Sequence, residues 1–273
     1  MPRHPQRIVC LSTETVEVLY ALGEAERIVG ISGFTVRPAR ARKEKPKVSG
    51  FSSARIDRIL AVRPDLVLAF SDMQADICRD LIRAGIAVHV FNQRDIDGIL
   101  AMITTVGALV GAQARADALV AQLDAQLDAA RHAGEAHIER LGRRARVYFE
   151  EWDTPMICGI RWVSELIEVA GGEDVFRERA TEPGASARII ADGAEVVAQQ
   201  PDIILASWCG KKVRAEQIAA RSGWDALDAV SRHHIYEIKS ALILSPGIVA
   251  IEAGLPAIAA ALDKLSNDAL SGR

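Results

Sequence analysis

Of the four tryptophans in this chain of 273 residues, three, Trp152, Trp162 and Trp208, stand beside polar or charged neighbours in its second half. Tryptophan joins a large apolar face to one hydrogen-bond donor, which suits a cleft that grips a large, planar, partly polar ligand. Trp208 lies in ASWCGKKV (Ala206–Val213), a stretch unlike a packed interior, so Trp208 and Lys211 read as ligand-facing; Lys211 and Lys212 read equally well as a solvated pair. Ser245, in a loop after the last expected strand, completes that set. In the first half the candidate ligand contacts are Ser12, Thr13 and Glu14, at the start of a helix, with Phe34, Phe51 and Phe70. A strand that stops at a polar helix N-terminus presents free backbone N–H groups to a polar or anionic ligand group.

Covalent chemistry finds little support. Glu150, Glu151, Asp153, Cys209 and Lys211 could serve an enzyme, yet no Ser-His-Asp, HExxH, Walker or GxGxxG pattern accompanies them. The four cysteines, Cys10, Cys78, Cys158 and Cys209, are scattered and read as buried or free thiols, with neither a zinc site nor a disulfide framework. His233 and His234, adjacent on an expected strand, would point to opposite faces; His89 stands alone, and His132 and His137 read as solvated, so no metal site is expected. A net charge of −3 with both signs interspersed leaves no basic stripe for nucleic acid and no polybasic membrane anchor. The longest apolar run, Gly98–Ala112, is too short to span a bilayer.

These residues need elements to position them. Leu119, Leu123, Leu127 and Ala130 recur at helical steps and predict one long helix over Ala112–Leu141. On either side of it the sequence loosely repeats: Asp57–Phe70 reads DRILAVRPDLVLAF and Ala194–Ser207 reads AEVVAQQPDIILAS, each a helix, a Pro-Asp corner and a strand. An apolar strand precedes each corner by similar distances, Arg7–Leu11 in one copy and Arg146–Phe149 in the other. The pattern predicts an α/β protein of two similar lobes, residues 1–111 and 142–273, bridged by a helix over 112–141, each lobe a parallel sheet covered by helices. Ligands of such sheets sit beyond the carboxyl ends of the strands. That places Ser12–Glu14, Phe34, Phe51, Phe70, Ser71, Asn92 and Gln93 on one rim, and Trp152, Trp162, Trp208, Lys211 and Ser245 on another.

Taken in order, RIVCLSTETVEVLYALG, VGIS, KVSGFSSARIDRILAVRPDLVLA, AGIAVHVF, ELIEVAGGEDVF and EVVAQQPDIILAS resemble the substrate-binding proteins of ABC importers for cobalamin, heme and iron-siderophores. The likeness runs from about Arg7 to Leu262 and is greatest to the cobalamin binders, through the SxxxxExxxxLG helix and AGGEDVF. It implies a rigid bridging helix, a ligand held between the lobes with little hinge motion, and binding without catalysis or a catalytic cofactor. The implied ligand is cobalamin or a similar metal chelate; Phe34, Phe51 and Phe70 stand where those proteins carry aromatics. The implied partner is an ABC importer permease dimer, with the protein a periplasmic monomer. Such proteins dock through an acidic residue on each lobe; here Ala75 occupies the first position, flanked by Asp72 and Asp76, and Glu216 is a loose counterpart in the second. The opening MPRHPQ has no apolar leader, which motivates the alternative of a cytoplasmic enzyme or handling protein for a cobalamin or metal-chelate precursor.

Overall fold

The structure, a computed structural model, describes residues 3–271; the outermost residues of the expected lobes lie outside that range. The chain divides into two compact units: residues up to Gln93 with Asp97–Gln122, and Arg94–Ile96 with residues from Leu123 on.

In the first unit, β1 (Ile8–Cys10), β2 (Ile28–Ser32), β3 (Lys47–Ser49), β4 (Leu66–Phe70) and β5 (Val88–Phe91) form a sheet of order β3-β2-β1-β4-β5. Every pairing is parallel. Strands this short and apolar need cover on both faces, which α1 (Thr13–Ala21), α2 (Ala41–Glu44), α3 (Ile56–Ala61), α4 (Ala75–Arg83) and α5 (Ile96–Val110) help to provide. Lys47 and Ser49 pair with Ile31 and Ser32, so the segment before Phe51 joins the sheet as β3.

After α6 (Gln113–Leu141), the second unit holds β6 (Ala145–Asp153), β7 (Met156–Cys158), α7 (Arg161–Val169), β8 (Gly172–Asp174), α8 (Arg177–Ala180), β9 (Ile189–Ile190), α9 (Gly193–Gln199) and β10 (Ile203–Ala206). Then come α10 (Ala215–Ala219), α11 (Asp228–Ser231), β11 (Ile235–Glu237), α12 (Ser240–Ile243) and α13 (Leu255–Ser271). The sheet order is β11-β10-β6-β7-β9, with β8 also on β6. One departure from an all-parallel sheet stands out: β7 turns back antiparallel on β6, and β9 runs antiparallel to β7. Beneath the sheet Tyr148 meets Phe176 and Trp224 edge-on, at centroid distances of 5.7 and 5.9 Å. α13 is entered through a π-helical turn, Ala250–Gly254, immediately before Pro256.

The Pro-Asp corners repeat down to single hydrogen bonds. Arg63 and Gln200, each just before the proline, have positive φ of 46° and 45°. Asp65 then accepts the Arg7 backbone N–H at 2.9 Å, and Asp202 accepts that of Arg146 at 2.7 Å. Each of these arginines also donates from Nε to a backbone carbonyl before the corner, Arg7 to Arg63 at 2.9 Å and Arg146 to Gln199 at 2.8 Å. In both copies the aspartate satisfies a backbone donor at the start of the neighbouring parallel strand.

α6 is a single 29-residue helix that carries the chain from one unit into the other. Ala116, Leu123, Leu127, Gly134 and His137 form its buried stripe. His137 is therefore not solvated: its Nδ1 accepts from Arg140 at 2.7 Å, and burial lowers its pKa.

Candidate functional site

In the first unit the carboxyl ends of β1 to β4 gather most of the expected residues. Ser12 follows β1 and precedes α1; it is buried, caps nothing, and its hydroxyl has no hydrogen-bond partner in the protein. Ser12 thus keeps a hydroxyl to offer. Thr13 is half-buried and Glu14 buried in the first turn. Phe34 is 67% exposed. Its loop is held from behind: Phe34 N–H donates to Ser32 Oγ at 3.2 Å, and Arg42 donates to the carbonyls of Gly33 and Thr35, both at 3.0 Å. Arg42 thus holds the loop that presents Phe34.

Gln74, which the sequence did not single out, organises the rest of this rim. Its buried amide accepts Phe70 N–H at 2.9 Å and donates to Leu11 O at 3.1 Å and Phe51 O at 2.8 Å, tying two strand ends to the Phe51 loop. Phe51 is half-buried. Phe70, expected to face the ligand, instead packs inward at 5% exposure, because the last residue of a covered central strand still belongs to the core. Met73, three residues on and 55% exposed, is the apolar side chain shown there. Between them Ser71 has φ 59° and ψ 176°, a region that costs a non-glycine residue on the order of 1–3 kcal/mol and often marks a working site. Asn92 is exposed and Gln93 buried beyond β5. Asp72 and Asp76 are exposed beside this rim, and Asp76 is engaged by Arg79 at 2.7 Å.

In the second unit the register of β6 with β10 sets the geometry. Ala206 pairs with Glu150, and two residues further along each chain stand Trp208 and Trp152. Trp208 is not an exposed platform: it is 2% exposed, packed in the unit's core, and donates its indole N–H to Glu150 Oε1 at 3.0 Å. Glu150, wholly buried, also receives the Tyr148 hydroxyl at 3.0 Å and both arms of Arg221. That is the full complement a buried carboxylate needs. Trp162 is likewise buried, its N–H on Ile243 O at 2.8 Å, where it anchors α12 and the loop bearing half-buried Ser245. Both tryptophans are thus buried, where an exposed position was expected, because each indole N–H is drawn to a partner distant in sequence, Glu150 for Trp208 and Ile243 for Trp162.

Trp152 remains half-buried at the rim. Lys211 lies against it and Trp208, its ammonium 4.8 Å from each ring centroid, and donates to both oxygens of Asp153 at 2.7 Å. A cavity of about 410 Å³ opens next to Asp153, lined in part by Met156, Gly193, Arg221 and Trp224. Ser207, at the end of β10, has a buried hydroxyl without a partner, as Ser12 does in the first unit. Glu216 is exposed in α10.

The potential catalytic groups are otherwise engaged. Glu151 is held by buried Arg188, one contact being 3.1 Å, and Asp153 is held by Lys211. Burial pushes the Cys10 and Cys158 thiols up to about 12, far from nucleophilic use, and Cys209 is exposed and free. Among the described residues no group of His, Cys, Asp and Glu could hold a metal ion, and no helix is long and apolar enough to cross a membrane. His233 and His234 precede β11 in a turn instead of sharing a strand.

A sequence profile described as periplasmic binding protein matches residues 8–242. A vitamin B12-binding protein of Vibrio campbellii is 25% identical over 207 residues, 74% of this chain and 70% of that protein. A cobalamin-binding protein of Halobacterium salinarum is 27% identical over 206 residues, 74% of this chain and 53% of that protein. Among solved structures, a periplasmic heme-binding protein from Roseiflexus sp. RS-1 in apo form superposes with a TM-score of 0.80 at 21% identity, covering 96% of this chain and 99% of that one. The periplasmic vitamin B12 binding protein of Vibrio cholerae gives 0.75 at 19% identity, covering 96% and 98%. At such identities the structural likeness establishes the shared fold.

Proposed function

The chain belongs to the periplasmic binding protein family, and from that premise we propose that it captures cobalamin, or a metal chelate of similar bulk, for delivery to an ABC importer. The observation that carries this reading is apolar surface at a strand-end rim. Phe34 and Met73 are among the large apolar side chains exposed in the described residues, and both lie where α/β sheets receive ligands. The names of the sequence relatives, vitamin B12-binding and cobalamin-binding, favour a corrinoid within that class. The polar groups suit an uncharged ligand rich in amides: the free hydroxyl of Ser12 at this rim can bond an amide group.

In this reading the protein performs binding without chemistry. Phe34, Phe51 and Met73 supply apolar contact at the rim of the first unit, and clips such as Gln74 and Arg42 hold its loops in place before the ligand arrives, which lowers the ordering cost of binding. The partner is an importer's permease, met through exposed acids such as Asp72, Asp76 and Glu216; the protein works as a monomer outside the cytoplasmic membrane. Tryptophan fluorescence titration with cyanocobalamin, with heme and a ferric siderophore in parallel, tests the reading. Saturable quenching by cobalamin supports it, quenching by another of the three moves the ligand class, and no response to any sinks it.

A further inference from the structure

The second unit holds an arrangement that capture of an uncharged chelate does not use. Parallel pairing of β6 with β10 sets Trp152 and Trp208 in corresponding positions just past the Glu150–Ala206 pair. Each indole is fixed through its N–H, Trp152 to Thr154 O at 2.9 Å and Trp208 to Glu150 Oε1 at 3.0 Å, so the rings keep their orientation whatever lies against them. Asp153, the last residue of β6, adds a carboxylate whose side chain is 13% exposed. Two immobilised indoles and one screened carboxylate are the components of a site for an organic cation, since an ammonium gains from aromatic faces and from the opposite charge together.

The cation present is the protein's own. Lys211 reaches in from the loop after β10, its ammonium 4.8 Å from both ring centroids and 2.7 Å from both Asp153 oxygens. We propose that Trp152, Trp208 and Asp153 form a binding site for alkylated ammonium groups, which Lys211 fills in this conformation and yields to a ligand bearing such a group. A tethered ammonium acts at an effective concentration on the order of millimolar, so a weak free cation competes poorly with it. A quaternary ammonium, which donates no hydrogen bonds, keeps the aromatic part of the attraction; Asp153 then retains its charge interaction while Lys211 turns to solvent.

The test needs no chelate, so its failure is separate from failure of the proposed function. Tetramethylammonium chloride is titrated into the protein with tryptophan fluorescence as readout and sodium chloride as ionic-strength control. Lys211→Ala, a change at an exposed side chain, is expected to bind tetramethylammonium about tenfold more tightly than the unchanged protein. Lys211→Ala combined with Trp152→Ala is expected to lose that binding while keeping its circular dichroism. Equal binding with and without Lys211, persistence without Trp152, or the same response to sodium chloride would each overturn the proposal.

Discussion

The buried side-chain amide of Gln74 donates to the backbone carbonyl of Phe51 at 2.8 Å, and through that bond the core of the first unit holds a rim residue. Gln74→Leu keeps the volume but strands the Phe51 and Leu11 carbonyls and the Phe70 N–H. It is expected to lower stability by about 2–4 kcal/mol and to weaken ligand binding as the Phe51 loop loosens. Urea unfolding and a ligand titration on the folded variant check both; unchanged affinity would mean that Phe51 does not depend on Gln74 for its position.

A second expectation concerns Glu150. Arg221→Met leaves this carboxylate buried with only the Tyr148 hydroxyl and the Trp208 N–H, and is expected to cost about 3–5 kcal/mol. Adding Glu150→Gln removes the uncompensated charge and should restore part of the loss. Strictly additive costs in chemical denaturation would show that the two groups are not coupled.

Stability should respond to pH through two buried groups of opposite sign. Burial raises the Asp174 pKa to about 6, above that of the unfolded chain. The unfolded state then releases its proton first as pH rises, so stability falls between about pH 4 and 6 and stays lowered above. Asp174→Asn, which keeps an oxygen for the Phe176 N–H, should gain about 2–3 kcal/mol at pH 7.5 and nothing at pH 3.5. His137 has the opposite sign, since burial lowers its pKa; its contribution is lost as pH falls through the imidazole range. Thermal melts across pH on the unchanged protein and on Asp174→Asn separate the two.

Gly134 marks where α6 meets the second unit's own backbone. A Cβ there would lie 2.8 Å from Ala170 C and Gly171 N, atoms that cannot swing aside. Gly134→Ala should therefore destabilise by about 1–3 kcal/mol despite its better helix propensity. A raised melting temperature would contradict the close approach.

Much of the fold was legible because its signals are local. The Pro-Asp corners, the apolar strands and the periodic α6 each lie within a short stretch, and strand ends then locate the rims. What escaped depends on contacts distant in sequence. Gln74 reaches Leu11 across 63 residues, and Arg221 meets Glu150 across 71, so neither announces its role in its own segment. Trp208 misled for the same reason: Ser, Gly and Lys beside it suggested a surface, while its indole reaches Glu150 across 58 residues and is buried there. His137 looked polar within its helix until Arg140 and Ser266 closed over it.

Equilibrium dialysis against cyanocobalamin, read by the corrin absorbance retained with the protein, tests the central claim most directly. The account predicts saturable retention of one equivalent per chain, with micromolar or tighter affinity, lost in part in Phe34→Ala while the melting temperature is unchanged, since that side chain is 67% exposed. No retention above that of an unrelated protein would contradict it.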